Sequence, residues 1–396
     1  MKLVLFGAGN IGRSFIAPLF VHSGYEVVFV DINERVITEI NRRGEYPVVT
    51  VTSGSPPRRE VITNVRAVDG RDEASVSGEL ATAALAATAV GKGALPAVAR
   101  SLAAGVAARE KAGAGALDVI LAENVRECAA LVAEHAEATS PGTRERLGLV
   151  ETSIGKMVPI VPPEESAKDP LIVYAEPYNT LIVDKLGFVG RVPQVENLEA
   201  VDRIDAYVDR KLFIHNLGHA ATAYLGYAHS ADLRLVAEAI SIDEVEAEVR
   251  GAMGESTNGL LKRYPEVFRP EQLSEHVDDL VARFGNPALG DTLHRVGRDL
   301  PRKLGRDDRL VGAMRLCAQA SLPFETIARA YYAALTFQAP DASGHPFAAD
   351  AEVVRRAREE GLDWVLGEIS GLSSESAEDR AVVEAIRRVA RFPQAS

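Results

Sequence analysis

Apolar and polar positions fall into blocks along this chain, and the first blocks spell strand, turn, helix, strand. Lys2 to Phe6 is a β-rich run without a polar break, followed by Gly7-Ala8-Gly9-Asn10-Ile11-Gly12. Arg13 to His22 predicts a helix with Phe15, Ile16, Leu19 and Phe20 on one side, and Glu26 to Asp31 predicts a second strand ending in an acid. Ala86 to Val90 and Val119 to Ala122 are further apolar strands, with Ala-rich crossover helices at Glu79 to Leu85 and Leu95 to Ala108. Residues 49 to 75 are polar with scattered Val and Ile and predict an irregular insertion. From Val150 to Val192 the helical period is lost. Ile160 to Pro163, Leu171 to Glu176 and Leu181 to Asp184 predict short extended pieces broken by proline. After Asn197 the chain is almost entirely helical, with helix starts at Ser230, Ser241 and Pro270 and breakers at Asn286-Pro287, Gly305 and Pro340. The expected class is α/β. A Rossmann-type dinucleotide-binding domain occupies residues 1–195, and a mostly α-helical substrate and catalytic domain occupies residues 196–396.

The first block carries chemistry. A strand, G-x-G-x-x-G, a helix, a second strand and Asp31, 19 residues past Gly12, is the order of a dinucleotide fold. Gly7 permits the tight turn, Gly9 lets the backbone approach a pyrophosphate across Asn10 and Ile11, and Gly12 lets the helix pack on the sheet. The helix start offers unpaired N–H groups to the anion. Asp31 can accept from both ribose hydroxyls and repels a 2′-phosphate, so NAD is expected over NADP. Arg35, close by in sequence, softens that preference. Ligands of such sheets bind at the carboxyl ends of the strands, which places Thr88, Gly91, Glu123 and Asn124 among the candidates.

The second half offers KLFIHNLGH at 211–219. On an α-helical wheel Lys211, His215, His219 and Asn216 fall at about 0°, 40°, 80° and 140°, one polar stripe against an apolar flank. A solvated face and a proton-transfer site both fit that stripe, although Val208 and Leu212 interrupt it. An alcohol-oxidising nicotinamide enzyme needs a base for the hydroxyl proton and donors for the oxygen. A buried lysine can lose its proton near neutrality, so Lys211 is the candidate base, with Asn216 a donor and His219 orienting the substrate. Tyr207-x-x-x-Lys211 offers a rival, in which the tyrosine is the base. The glycine spacing, the residues before Tyr207 and the chain length all differ from that pattern.

Composition narrows the classes. A formal charge of −12 makes nucleic acid an unexpected partner, and an anionic substrate would need a local basic pocket. His294 to Lys303 supplies one candidate, with Arg295, Arg298, Arg302 and Lys303. Two separated cysteines, Cys128 and Cys317, build neither a disulfide framework nor a Cys-rich metal site, so no metal is expected. The apolar run at Leu3 to Phe6 is too short for a signal core and no run approaches about 20 apolar residues, so a cytoplasmic protein without a membrane partner is expected.

Several segments together resemble the polyol-specific long-chain dehydrogenases: FGAGNIGR (6–13), TAVG (88–91), ENVR (123–126), IVDKLGF (182–188), KLFIHNLGHAATAYLG (211–226), RFGNPALGDTLHRVGRDLPRKL (283–304) and EISGL (368–372). The resemblance implies that Lys211, Asn216 and His219 take the roles proposed above. It also implies that Asn124 completes the oxyanion hole and that Arg295 and Lys303 bind substrate. The implied reaction is reversible, metal-free, NAD-dependent hydride transfer on a small polyol or polyol phosphate, between mannitol 1-phosphate and fructose 6-phosphate, by a monomer or small homo-oligomer. Where the family usually reads Val-Asp-Arg-Ile-Val-Pro, this chain reads Ile154-Gly155-Lys156-Met157-Val158-Pro159. Lys156 is therefore a third substrate candidate, and free mannitol, arabinitol, altronate and fructuronate remain alternative substrate types. A dinucleotide-binding sensor without catalysis is a further alternative, disfavoured by the intact Lys211, Asn216 and His219.

Overall fold

The computed structural model describes residues 1–391. The chain forms two compact units, Met1–Val208 and Asp209–Ser396. In the first, eleven strands run in chain order: β1 Lys2–Phe6, β2 Glu26–Asp31, β3 Tyr46–Thr50, β4 Arg58–Ile62, β5 Val65–Asp69, β6 Leu85–Thr88, β7 Leu117–Leu121, β8 Leu147–Ile154, β9 Val173–Ala175, β10 Leu181–Asp184 and β11 Leu198–Val201. Eight of them make one sheet, ordered β11-β10-β8-β7-β6-β1-β2-β5. From β5 across to β8 every pairing is parallel, and β10 runs antiparallel to β8.

Both faces of this sheet are covered, which explains why its strands are apolar without alternation. On β1, Leu3 and Leu5 face one core with Phe15, Ile16, Phe20 and Ile40. Val4 and Phe6 face the other, with Val76, Leu80, Leu95, Val98 and Val132. The order reverses between β1 and β6, so the carboxyl ends of these two strands open the crevice where such folds bind ligands.

Four expectations differ from the described structure. Residues 49–75 are not an irregular insertion: β4 and β5 fall within them, and β4-β3-β9 form a second sheet. Its β3–β9 pairing joins Val48 to Val173 across a long stretch of chain, which local patterning cannot register. Ile160 to Pro163 forms no strand, because Pro163 opens the short helix Pro163–Lys168. The stretch Glu79 to Leu85 is split, with a helix at Glu73–Ala81 and Leu85 starting β6. The boundary expected near residue 195 falls before β11, which pairs with β10 in the main sheet, and the division between compact units lies further along.

Among the described residues, the named elements of the second unit are all helices. Its longest helix, Asp243–Arg263, buries Val245, Val249, Ala252, Met253 and Leu260. Against it lies Leu217–His229, and Gly218 sets the approach: a Cβ there would stand 2.5 Å from Met253 Sδ. No described helix is long and apolar enough to cross a membrane.

Candidate active site

The glycine loop closes β1 with little room to spare. Gly7 takes φ +97°, and a Cβ there would lie 2.4 Å from the Ala89 carbonyl oxygen. A Cβ on Gly12 would meet the Gly7 oxygen at 2.1 Å. Gly9 is different: a Cβ there would meet nothing within 4 Å, and its backbone is not in the left-handed region. Gly7 and Gly12 are thus required by the protein's own packing, whereas Gly9 borders open space that a pyrophosphate can occupy. Asn10 and Ile11, between them, open the helix, which continues as a π turn over Gly12–Ile16.

Asp31 ends β2 facing this loop. Its Oδ2 accepts from the Ala8 N–H at 2.7 Å, and Oδ1 accepts from Ile32 and Asn33 N–H at 2.8 and 2.9 Å. Each carboxylate oxygen keeps further lone-pair capacity for ribose hydroxyls. Arg13 braces the loop from behind, donating to the Ala8 and Leu171 carbonyls at 2.6 Å while buried. Beside it, Glu123 accepts from Val90 and Gly91 N–H at 2.9 and 2.8 Å, so this buried carboxylate shapes the turn after β6. Gly91 is exposed, with φ +82°. Thr88 is wholly buried, and its carbonyl accepts from Ala122 N–H at 2.9 Å within the sheet. Asn124 lies exposed past the end of β7.

Lys156 is held inside the first unit. Its Nζ donates to the Glu176 and Tyr178 carbonyls at 3.0 and 2.7 Å and to Asn179 Oδ1 at 3.2 Å, above the Phe15 ring. Three protein acceptors match its three protons, so the ammonium braces the 176–179 stretch.

The polar stripe of the second unit is not α-helical where it begins. Lys211–Asn216 is a π turn, continued by the α-helix Leu217–His229. A π turn carries i→i+5 hydrogen bonds and winds more slowly than an α-helix, so it narrows the 140° between Lys211 and Asn216. His215 stays on the same side of the turn as Lys211 under either winding, but neighbouring residues cover it. It is buried, edge-on to Phe284 with ring centroids 6.0 Å apart. Lys211, Asn216 and His219 keep partial exposure. Burial, reinforced by the Arg309 charge, lowers the Lys211 ammonium to about 8. The His219 ring stacks on Phe284 at 4.8 Å, and its Nε2 lies 3.4 Å from Asp291 Oδ2, off line for a strong hydrogen bond.

Asp291 also pairs with Arg295, so two residues singled out in the sequence meet on one carboxylate. Burial works against that carboxylate, but His219 and Arg295 outweigh it and hold its carboxyl below the usual range. Lys303 is buried and donates to the Val296 carbonyl. Burial, then Arg309 and Arg302, push its ammonium down to about 7. Arg309, itself buried and paired with Asp308 at 2.7 Å, therefore bears on both Lys211 and Lys303.

Sequence reasoning missed Asp291 and Arg309. Asp291 was open to it, standing four residues before Arg295 in an i,i+4 pairing. Nothing local marks Arg309. Among the described residues, no three His, Cys, Asp or Glu side chains group as they would around a metal ion.

Residues 1–197 match the family model "Mannitol dehydrogenase Rossmann domain" and residues 203–389 match "Mannitol dehydrogenase C-terminal domain". The chain is 34% identical over 394 residues to mannitol-1-phosphate 5-dehydrogenase of Brevibacillus brevis, covering 98% of each chain. It is 35% identical over 375 residues to that of Bacillus subtilis, covering 93% of this chain and 95% of the other. In fold it is similar to Pseudomonas fluorescens mannitol 2-dehydrogenase, solved with NAD and D-mannitol. The TM-score is 0.73 at 16% identity, over 99% of this chain and 91% of that one. A substrate-free D-sorbitol dehydrogenase gives TM-score 0.79 at 17% identity, over 98% and 93%.

Proposed function

We propose that this chain, which belongs to the mannitol dehydrogenase family, is an NAD-dependent oxidoreductase that interconverts mannitol 1-phosphate and fructose 6-phosphate with Lys211 as its general base. The carrying observation is the π turn at 211–216, which holds a lysine with lowered proton affinity on the same stripe as Asn216 and His219. The relatives from Brevibacillus brevis and Bacillus subtilis support the substrate.

When bound, NAD supplies a hydride acceptor. The chain's own contribution to holding it is the space over Gly9, the N–H groups of the loop and helix start, and the carboxylate of Asp31. In polyol oxidation, neutral Lys211 takes the hydroxyl proton as the C–H bond gives up its hydride. The Asn216 amide donates to the oxygen as charge develops on it, and His219 orients the neighbouring hydroxyls. The resemblance gives Asn124 a donor role as well. In ketose reduction the lysine returns the proton. This scheme asks nothing of a metal ion, because a lysine already poised near neutrality does the proton transfer.

For the phosphate, a chain of net charge −12 must concentrate cations locally. Arg295 offers a planar fork with 41% of its side chain exposed, and Lys303 offers a point charge that can gain a proton as an anion arrives. Lys156, with its donors engaged, is left out of the substrate site.

The test is Lys211→Ala. It should lower kcat for mannitol 1-phosphate oxidation by about 10² to 10⁴-fold while NAD still binds. Tyr207→Phe should do much less. A folded Tyr207→Phe protein more damaged than Lys211→Ala would make the tyrosine the base and overturn the assignment.

A further inference from the structure

Asp291 is the one carboxylate that touches both His219 and Arg295 among the contacts described above, and it has little surface of its own. Its side chain is 8% exposed, against 17% for His219 and 41% for Arg295. Each carboxylate oxygen has its own partner: Oδ1 takes the Arg295 guanidinium, and Oδ2 lies 3.4 Å from His219 Nε2. A buried carboxylate is costly unless it is paired, so the Arg295 guanidinium, the edge of the His219 ring and the acid constrain one another's positions.

The surroundings leave the arrangement little freedom. The Asp291 carbonyl accepts from Val236 N–H at 2.9 Å, and Leu235 bridges to Thr292. Thr292 caps the helix Leu293–Gly297 by accepting from Arg295 N–H at 3.1 Å. On the other side, Phe284 stacks on the His219 ring with planes 4° apart. The ring is thus held in its plane by the phenyl group, with the Asp291 carboxylate beside its Nε2 edge.

We infer that Asp291 is a positioning residue that locks His219 and Arg295 into one unit, so that the hydroxyl-orienting group and the phosphate-gripping group of the substrate site move together. The inference rests on the proposed polyol phosphate reading. It predicts that a bound polyol phosphate is measured along its length: the anionic end engages Arg295 only when the hydroxyl end engages His219.

The experiment is a cycle of Asp291→Asn and Arg295→Ala in the full-length protein, with folding checked by circular dichroism and KM and kcat measured for mannitol 1-phosphate and for NAD. Asp291→Asn keeps the shape and removes the charge. It should raise KM for mannitol 1-phosphate about tenfold or more and leave KM for NAD within about twofold. A merely structural loss would not divide in this way. In the Arg295→Ala background the same change should add little, because its route through Arg295 is gone. If Asp291→Asn does not fold, His219→Gln combined with Arg295→Ala tests the unit with Asp291 intact, and effects on kcat/KM should fall well short of multiplying. An active wild type whose folded Asp291→Asn variant keeps its KM and kcat, or whose variant effects multiply independently, overturns the inference alone. A wild type inert towards mannitol 1-phosphate overturns the functional reading and the inference with it.

Discussion

If Lys211 is the base, its proton must leave before the polyol is oxidised, and pH is the direct perturbation. The lysine lies at about 8 instead of its ordinary 10.5, lowered by burial and by Arg309. Simple titration then gives a neutral fraction of about 3% at pH 6.5, half at pH 8 and about 97% at pH 9.5. Initial rates of NAD reduction at low mannitol 1-phosphate should therefore rise about 30-fold over that range and level off above about pH 9. A lysine left at 10.5 would be only about 9% neutral at pH 9.5, and the rate would still be climbing tenfold per unit. The sign reverses for fructose 6-phosphate reduction, which needs the protonated lysine. Its kcat/KM should be flat below about pH 7 and fall through the same midpoint. The assay is absorbance of the reduced cofactor in both directions, with Lys211→Arg as the control. That variant keeps the charge but cannot release a proton in this range, and should be inactive as a base. A profile without a midpoint near 8, or Lys211→Arg retaining wild-type kcat, refutes the reasoning.

Further predictions separate the packing role of residues from their ligand role. Gly9→Ala should fold with a melting temperature near wild type yet raise KM for NAD, whereas Gly12→Ala should destabilise the protein, because its Cβ would meet the Gly7 oxygen at 2.1 Å. Equal thermal losses in the two would contradict the open space over Gly9. Lys156→Met should lower the melting temperature and scarcely move KM for mannitol 1-phosphate, since its ammonium is engaged by Glu176, Tyr178 and Asn179. The opposite split would restore it to the substrate site. His276 is held near 3 by burial, with Arg210 and Arg283 adding. Below its unfolded value of about 6.5 the unfolded chain takes up a proton that the folded one refuses, so stability falls on acidification, by about 2 kcal/mol at pH 5 from this residue. A folded His276→Leu variant should lose that part of the slope between pH 7 and 5 in denaturant titrations, and an unchanged slope would remove His276 from the account.

Where chemistry is local in the chain, the sequence was enough. Gly7, Gly9, Gly12 and Asp31 sit on one strand-turn-helix-strand unit, so spacing alone sets their geometry. Lys211, Asn216 and His219 stood out for the same reason. The wheel that grouped them assumed 3.6 residues per turn, and neither the π turn nor the covering of His215 by Phe284 leaves a mark in residue spacing. The second sheet was hidden by distance, since β3 and β9 are joined only through the fold. Nothing in the local sequence around Lys156 showed that three acceptors from the 176–179 stretch would close over its ammonium. Asp291 is one acid among many in the sequence, and its meaning depends on His219, which reaches it from the helix Leu217–His229.

The central claim is tested most directly by wild-type kcat/KM for NAD reduction with mannitol 1-phosphate and with free mannitol, measured side by side at about pH 8.5. If Arg295 and Lys303 grip a phosphate and Lys211 serves as base, the phosphorylated polyol should be preferred by about 10²-fold or more, and Lys211→Ala should lower kcat on both by about 10² to 10⁴-fold. Equal efficiency on the two polyols would contradict the phosphate assignment, and a Lys211→Ala kcat within about tenfold of wild type would contradict the base.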